Sequence, residues 1–168
     1  MNLQATILKE HSKANCNKIV NWVGNSQQRF DELFELFLKS TYRINQRAAW
    51  PLSYCVIAHP EFISKHFNRL IKNLQKTGVG DAVKRNSVRL LQHVSIPKKF
   101  HGEVMDLCFR YISSPGEAVA IKAFSLSILQ NLSKDYPEIK NEIKLIIEER
   151  WPHETAAFHS RAKKILQS

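Results

Sequence analysis

A basic residue followed by a small or polar one opens an apolar-periodic stretch five times along the chain. The five are Lys13-Ala14, Arg47-Ala48, Arg85-Asn86, Lys122-Ala123 and Arg161-Ala162. The steps between them are 34, 38, 37 and 39 residues. A period in this range is the length of two helices and their turns. One such pair cannot bury its apolar face alone, so successive pairs must stack. The recurrence therefore predicts an all-α fold. The turn residues agree: 5 Gly and 6 Pro are too few for the many short strands of an all-β domain.

Four further helical patterns lie between the openings. Phe30, Leu33, Phe34, Phe37 and Leu38 share one helix face, as do Ile63, Phe67, Leu70, Ile71 and Leu74. Phe100, Val104, Met105, Cys108, Tyr111 and Ile112 make the third, and Ile139, Ile143, Ile146 and Ile147 the fourth. These first helices are predicted to begin near Ser26, Pro60, Pro97 and Tyr136. Pro60 and Pro97 suit a first turn, where no amide donor is needed. The second helices are predicted near Thr41, Gly80, Pro115 and His153. Short loops such as Thr77-Gly78-Val79-Gly80 make neighbouring helices antiparallel. No linker or low-complexity tract interrupts residues 1–168, which read as one domain. Its segments are a leading half-repeat over 1–25, then pairs over 26–59, 60–95, 96–133 and 134–168. Pro51 falls inside the helix from Thr41, where it either kinks the helix or breaks it at Trp50, and a kink is expected.

The stretches Gln46-Arg47-Ala48-Ala49, Val83-Lys84-Arg85 and Ile121-Lys122-Ala123 resemble the second helix of HEAT repeats, in which a basic residue sits between small apolar ones. The chain resembles the HEAT and armadillo-type repeat proteins over nearly its whole length. That resemblance implies a right-handed α-α superhelix, first helices outside and second helices lining a concave face. It also implies a turn carboxylate paired with the basic residue of a neighbouring repeat. Asp81 and Glu117 hold such positions, and the Thr41 and His153 turns do not. The five basic openings then bond neighbouring turns; the competing reading makes them a row of contacts for a partner. Fold of this kind does not dictate function.

Charge narrows the search. The chain carries 25 Lys and Arg against 15 Asp and Glu, a formal +10. Lys65, Arg69, Lys72 and Lys76 are spaced 4, 3, 4 and form one stripe opposite Ile63, Phe67, Leu70 and Ile71. Lys84, Arg85 and Arg89 follow on the next helix, and Lys98 and Lys99 open the one after. These nine are the candidate binding residues. A solvated basic face is the plain reading of them. The functional reading is a surface for a polyanion or an acidic protein.

Other chemistries find little support. Trp50 and Tyr54, four apart, either expose an edge on the second-helix face or belong to the core. Phe62, Phe67 and Phe100 sit at core spacing, unlike the exposed aromatics of single-strand binders. None of the seven histidines stands i, i+4 from another, so no zinc site is expected. Cys16, Cys55 and Cys108 lie far apart in apolar contexts, as buried thiols of a reducing compartment do. No activated nucleophile or glycine-rich phosphate loop is present. Neither a signal peptide nor a membrane span is read, and a cytoplasmic location is expected. Some DNA glycosylases resemble this chain in fold and charge, but their acidic and aromatic constellation does not map onto it. The resulting expectation is a non-catalytic scaffold without cofactor or small-molecule substrate, binding another protein. The alternative is nucleic acid held through its phosphates, and a glycosylase-type enzyme is the third reading.

Overall fold

The computed structural model describes residues 1–168 and contains ten α-helices and no strand. The chain divides into two compact units, Met1–Ser95 and Ile96–Ser168.

The first unit begins with α1 (Leu3–Lys9) and α2 (Lys13–Val23). Residues 1–25, expected as a half-repeat, thus hold two helices. Each is capped: the Asn2 Oδ1 accepts from the Ala5 amide at 3.0 Å and the Ser12 Oγ from the Asn15 amide at 3.1 Å. The buried Asn15 side chain ties them together, donating to the carbonyls of Thr6 at 2.7 Å and Glu10 at 3.0 Å. α1 is only two turns long, too short to show a period in sequence.

Next come α3 (Gln27–Lys39), capped by Ser26, and α4 (Tyr42–Ala58). Phe30, Phe34 and Phe37 of α3 are each at most 1% exposed. Burial on that scale contributes roughly 1.5–3 kcal/mol per side chain. α4 is the centre of this unit and packs on α1, α2, α3 and α6 (Asp81–Leu91). It is apolar on more than one side for that reason, with Ala48, Ala49, Leu52, Cys55 and Val56 all buried. Pro51 does not break it: the helix runs unbroken from Tyr42 to Ala58. The missing amide at 51 leaves the Arg47 carbonyl without its usual i+4 donor.

The helix predicted from Pro60 is two pieces. Pro60–His66 is 3-10 helix, and α5 (Phe67–Leu74) follows. In a 3-10 turn residues three apart eclipse, so Ile63 and His66 are buried together while Lys65 points outward. α5 stops two residues short of Lys76. The basic stripe therefore spans a 3-10 turn, one short helix and the loop beyond. Gly78 turns that loop with φ 73°, a left-handed value that favours glycine.

The second unit holds α7 (His101–Ser113), α8 (Val119–Leu132), α9 (Ile139–Arg150) and α10 (Ala156–Leu166). α8 packs on both α7 and α10. The Pro115 start is corrected: Ser114–Glu117 is a turn closed by the Glu117 amide on the Ser114 carbonyl, and α8 begins at Val119. Pro115 occupies the second turn position, where its fixed φ fits. The His153 start is corrected as well, since Trp151–His153 is a 3-10 turn and α10 begins at Ala156.

An ion triad lies buried here. Lys122 of α8 reaches Glu154 at 2.7 Å, and Arg150 donates to the same Oε1 from Nε at 3.0 Å and Nη2 at 2.9 Å. Glu154 supplies the turn carboxylate that the sequence reading did not find at the His153 turn; it sits one residue further along.

Candidate functional site

Four of the basic stripe residues divide into two kinds. Lys65 lies 2.6 Å from Asp31 on α3, and Arg69 makes a two-pronged pair with Glu35, four residues further along that helix. Gln27 and His66 also bond Asp31, at 2.9 and 2.7 Å. The stripe that lacks acids in its own sequence neighbourhood is half neutralised by the preceding repeat. Asp31 feels burial, which raises its pKa, but the bonds from Lys65, His66 and Gln27 outweigh it and the net shift is downward. The Arg69 bond, helped by Lys39 at 2.8 Å, holds Glu35 at about 2. Lys72 and Lys76 remain exposed on this surface, with no ion pair.

The other basic residues go elsewhere. Lys84 is half-buried on α6. Arg85 and Arg89, also on α6, line a cleft of about 270 Å³ between α4 and α6. Lys98 and Lys99 belong to the second unit, where the Lys99 ammonium lies 5.1 Å from the Phe100 ring.

The cleft is built from two helix faces. Gln46, Trp50 and Tyr54 are i, i+4, i+8 on α4, while Ala82, Arg85, Asn86 and Arg89 are i, i+3, i+4, i+7 on α6. His11, from the α1–α2 connection, closes one end against Trp50, ring centroids 5.4 Å apart. Trp50 and Tyr54 follow at 6.3 Å, tilted by 43°. No carboxylate and no thiol lines the cleft.

Arg89 is held in place. Its Nη1 donates to the Asn86 Oδ1 at 2.9 Å, and its guanidinium lies 5.9 Å from the Tyr54 ring centre. Asn86 is 3% exposed; its amide donates to the Ala82 carbonyl at 2.8 Å, and the buried Ser53 hydroxyl lies 3.3 Å from its Oδ1. Arg85, one turn away, makes no hydrogen bond or ion pair within the chain.

Arg85 thereby differs from others in the basic series. Arg47 Nη1 donates to the Leu8 carbonyl at 2.7 Å, at the end of α1. Lys122 pairs with Glu154, and Arg161 donates to the Ser127 hydroxyl at 2.6 Å. Those three bond neighbouring repeats, as the structural reading of the series expects; Lys13 stays exposed at the start of α2.

Sequence reasoning left Trp50, Tyr54, His11, Gln46 and Asn86 outside the candidate site. The i, i+4 repeat of Trp50 and Tyr54, facing the i, i+4 repeat of Arg85 and Arg89 one repeat later, was the available signal. Phe62, Phe67 and Phe100 are buried, as their spacing indicated. No group of three His, Cys, Asp or Glu side chains could hold a metal ion. No helix is long and apolar enough to cross a membrane.

Charge is uneven. The first unit has 14 basic and 6 acidic residues, the second 11 and 9. Most of the net +10 therefore belongs to the unit that holds the cleft.

Helix pairs recurring at this period, cross-bonded from repeat to repeat, define a helical-repeat scaffold, a class that commonly serves protein interaction. The model of the HEAT repeat domain family matches residues 3–168. The chain belongs to that family. No curated protein and no solved structure matches it.

Proposed function

We propose that the chain is a non-catalytic protein-binding module that engages its partner on the α4–α6 face of the first unit. The observation that carries this reading is the cleft itself: an aromatic wall on one helix, two guanidiniums on the next, and no acid between them. A concave site with a few fixed polar groups is where binding is expected. Lys72 and Lys76 add exposed positive charge to the same unit. The absence of a lining carboxylate speaks against a glycosylase-type activity, which needs an acid in its groove. Free thiols at Cys16, Cys55 and Cys108 fit a reducing, cytoplasmic setting.

Nucleic acid is the second reading, favoured by the unpaired Lys72 and Lys76, which could reach phosphates. One experiment separates the two. A photo-cross-linking amino acid replaces Gln46 in the cleft, with Glu149 on the exposed side of α9 as the control position. Irradiation in cells should give a protease-sensitive adduct from position 46, weakened by Arg85→Glu. A nuclease-sensitive adduct, or equal labelling from position 149, would overturn the protein reading.

A further inference from the structure

We infer that the cleft reads an extended acidic segment in which acidic and apolar residues alternate. This deepens the protein-binding reading and rests on it.

The argument starts from spacing. Arg85 and Arg89 are four residues apart on α6, so they are separated by about 6 Å along the helix. In an extended chain, side chains two residues apart lie on one side, about 6.6–6.8 Å apart. The two repeats match to within about 1 Å, well inside the reach of a guanidinium. Two acidic residues at i and i+2 can thus meet Arg85 and Arg89 in turn. The intervening residues of the same segment point the other way, toward α4. There Trp50 and Tyr54 repeat at the same interval. An extended segment laid along the groove over the two packed helices meets α6 with every second side chain and α4 with the rest.

The chemistry of the walls fits this assignment. Arg85 has no partner within the chain, and Arg89 is fixed by Asn86 before any ligand arrives. One donor fork is free and the other preorganised, which lowers the ordering cost of binding a carboxylate. The cleft lining contains no acid to compete, and the unit around it is strongly basic.

The aromatic wall favours a peptide over a nucleic-acid strand. Successive bases need open ring faces on which to stack. Here His11 leans on Trp50 at 54°, the Arg89 guanidinium lies over Tyr54, and the Trp50 and Tyr54 rings are tilted by 43° to each other. Tilted rings with these neighbours make a poor platform for a run of bases and suit leucine-like or aromatic side chains instead.

The test uses the full chain and fluorescence anisotropy at low and moderate salt. The probe is a labelled, end-blocked peptide Gly-Asp-Leu-Asp-Leu-Gly. The control has the same composition without alternation, Gly-Asp-Asp-Leu-Leu-Gly, and a twelve-residue oligothymidylate is the third ligand. The alternating peptide should bind at least about tenfold tighter than the control. Arg85→Gln should weaken it about tenfold, the loss expected of one charge-assisted bond. Arg85 has no bond within the chain, so its removal leaves the fold intact; Arg89→Gln should do the same, with circular dichroism checking its structure. Lys163→Gln/Lys164→Gln, exposed on α10 of the second unit, should change binding less than about twofold at moderate salt. Equal affinity for the two peptides, or wild-type affinity in Arg85→Gln, overturns the inference, as does oligothymidylate binding tighter than the alternating peptide. A protein adduct from position 46 together with a failed alternating peptide removes the motif and leaves the module reading standing. A nuclease-sensitive adduct removes both.

Discussion

Glu154→Gln should be the most damaging single charge change in the second unit. Its Oε1 accepts from Lys122 at 2.7 Å and from Arg150 at 2.9 and 3.0 Å, and the Lys122 and Glu154 side chains are each 3% exposed. Substitution with glutamine keeps the shape and removes the charge. Lys122 is then an uncompensated ammonium shut away from water, and breaking a buried pair in this way costs about 3–5 kcal/mol. The reverse deletion is milder. Lys122→Met removes the cation that needs company, and Glu154 keeps Arg150, which is 14% exposed. The cost should be about 1–2 kcal/mol, one charge-assisted bond without an orphaned ion. The double variant Lys122→Met/Glu154→Gln should recover much of the loss, so the cycle should show a coupling of about 2 kcal/mol or more. Against a total stability of about 5–15 kcal/mol, the glutamine variant loses a large fraction. Urea unfolding followed by Trp151 emission, with Trp22 and Trp50 changed to Phe, reports on the right corner, since Trp151 stacks on His159 at 4.0 Å. Glu154→Gln within about 1 kcal/mol of wild type would refute the reasoning. So would a Lys122→Met variant that is destabilised just as much.

The bond from Arg69 holds Glu35 at about 2, against an ordinary value of 4.5. Its stabilisation is fully present above pH 4.5 and is lost as pH falls toward 2. Both side chains are more than a third exposed, so screening keeps the effect under about 1 kcal/mol; NMR titration should show the Glu35 midpoint returning upward in Arg69→Gln, and an unmoved midpoint would contradict the assignment. Burial raises the thiols of Cys16 to about 11 and of Cys55 and Cys108 to about 12. The native protein should therefore react slowly with a disulfide reagent at pH 8, and all three should react once unfolded; rapid native labelling would count against this packing. Gly78→Ala should cost about 1 kcal/mol, because φ 73° is unfavourable for a side chain although the space beside it is open; thermal melts that coincide with wild type would exclude that strain.

The helix faces were legible because they depend on local period. Phe30, Leu33, Phe34 and Phe37 announce a buried face, and Ser26 and Thr41 mark helix starts that the structure keeps. The 3-10 turn at Pro60 was not legible, since Ile63, Phe67, Leu70 and Ile71 satisfy an α-helical period equally well. The individual partners across repeats, above all the acids facing Lys65 and Arg69, were not legible for a different reason. Asp31–Lys65, Glu35–Arg69 and Ser127–Arg161 are each separated by 34 residues, one repeat, and no spacing within a helix or its neighbouring loops marks a partner that distant. The repeat period itself was the register needed to find them. Trp50 and Tyr54 were ambiguous because a second helix contacts neighbours on two sides. Sequence does not show which apolar position faces a helix and which faces the gap between two.

The uneven charge of the two units has a consequence for rates. An anionic partner is attracted to the first unit before it touches anything, over distances set by a screening length of about 10 Å at 0.1 M salt and about 3 Å at 1 M. Exposed lysines such as Lys72 and Lys76 would act on the approach of such a partner, with an effect that fades as salt rises. A guanidinium fixed by a buried network, as Arg89 is by Asn86 and Ser53, acts after contact, on how long an anion stays. For the acidic partner proposed above, arrival and departure would be governed by different residues of one small unit, and each could be altered while the other is left as it is.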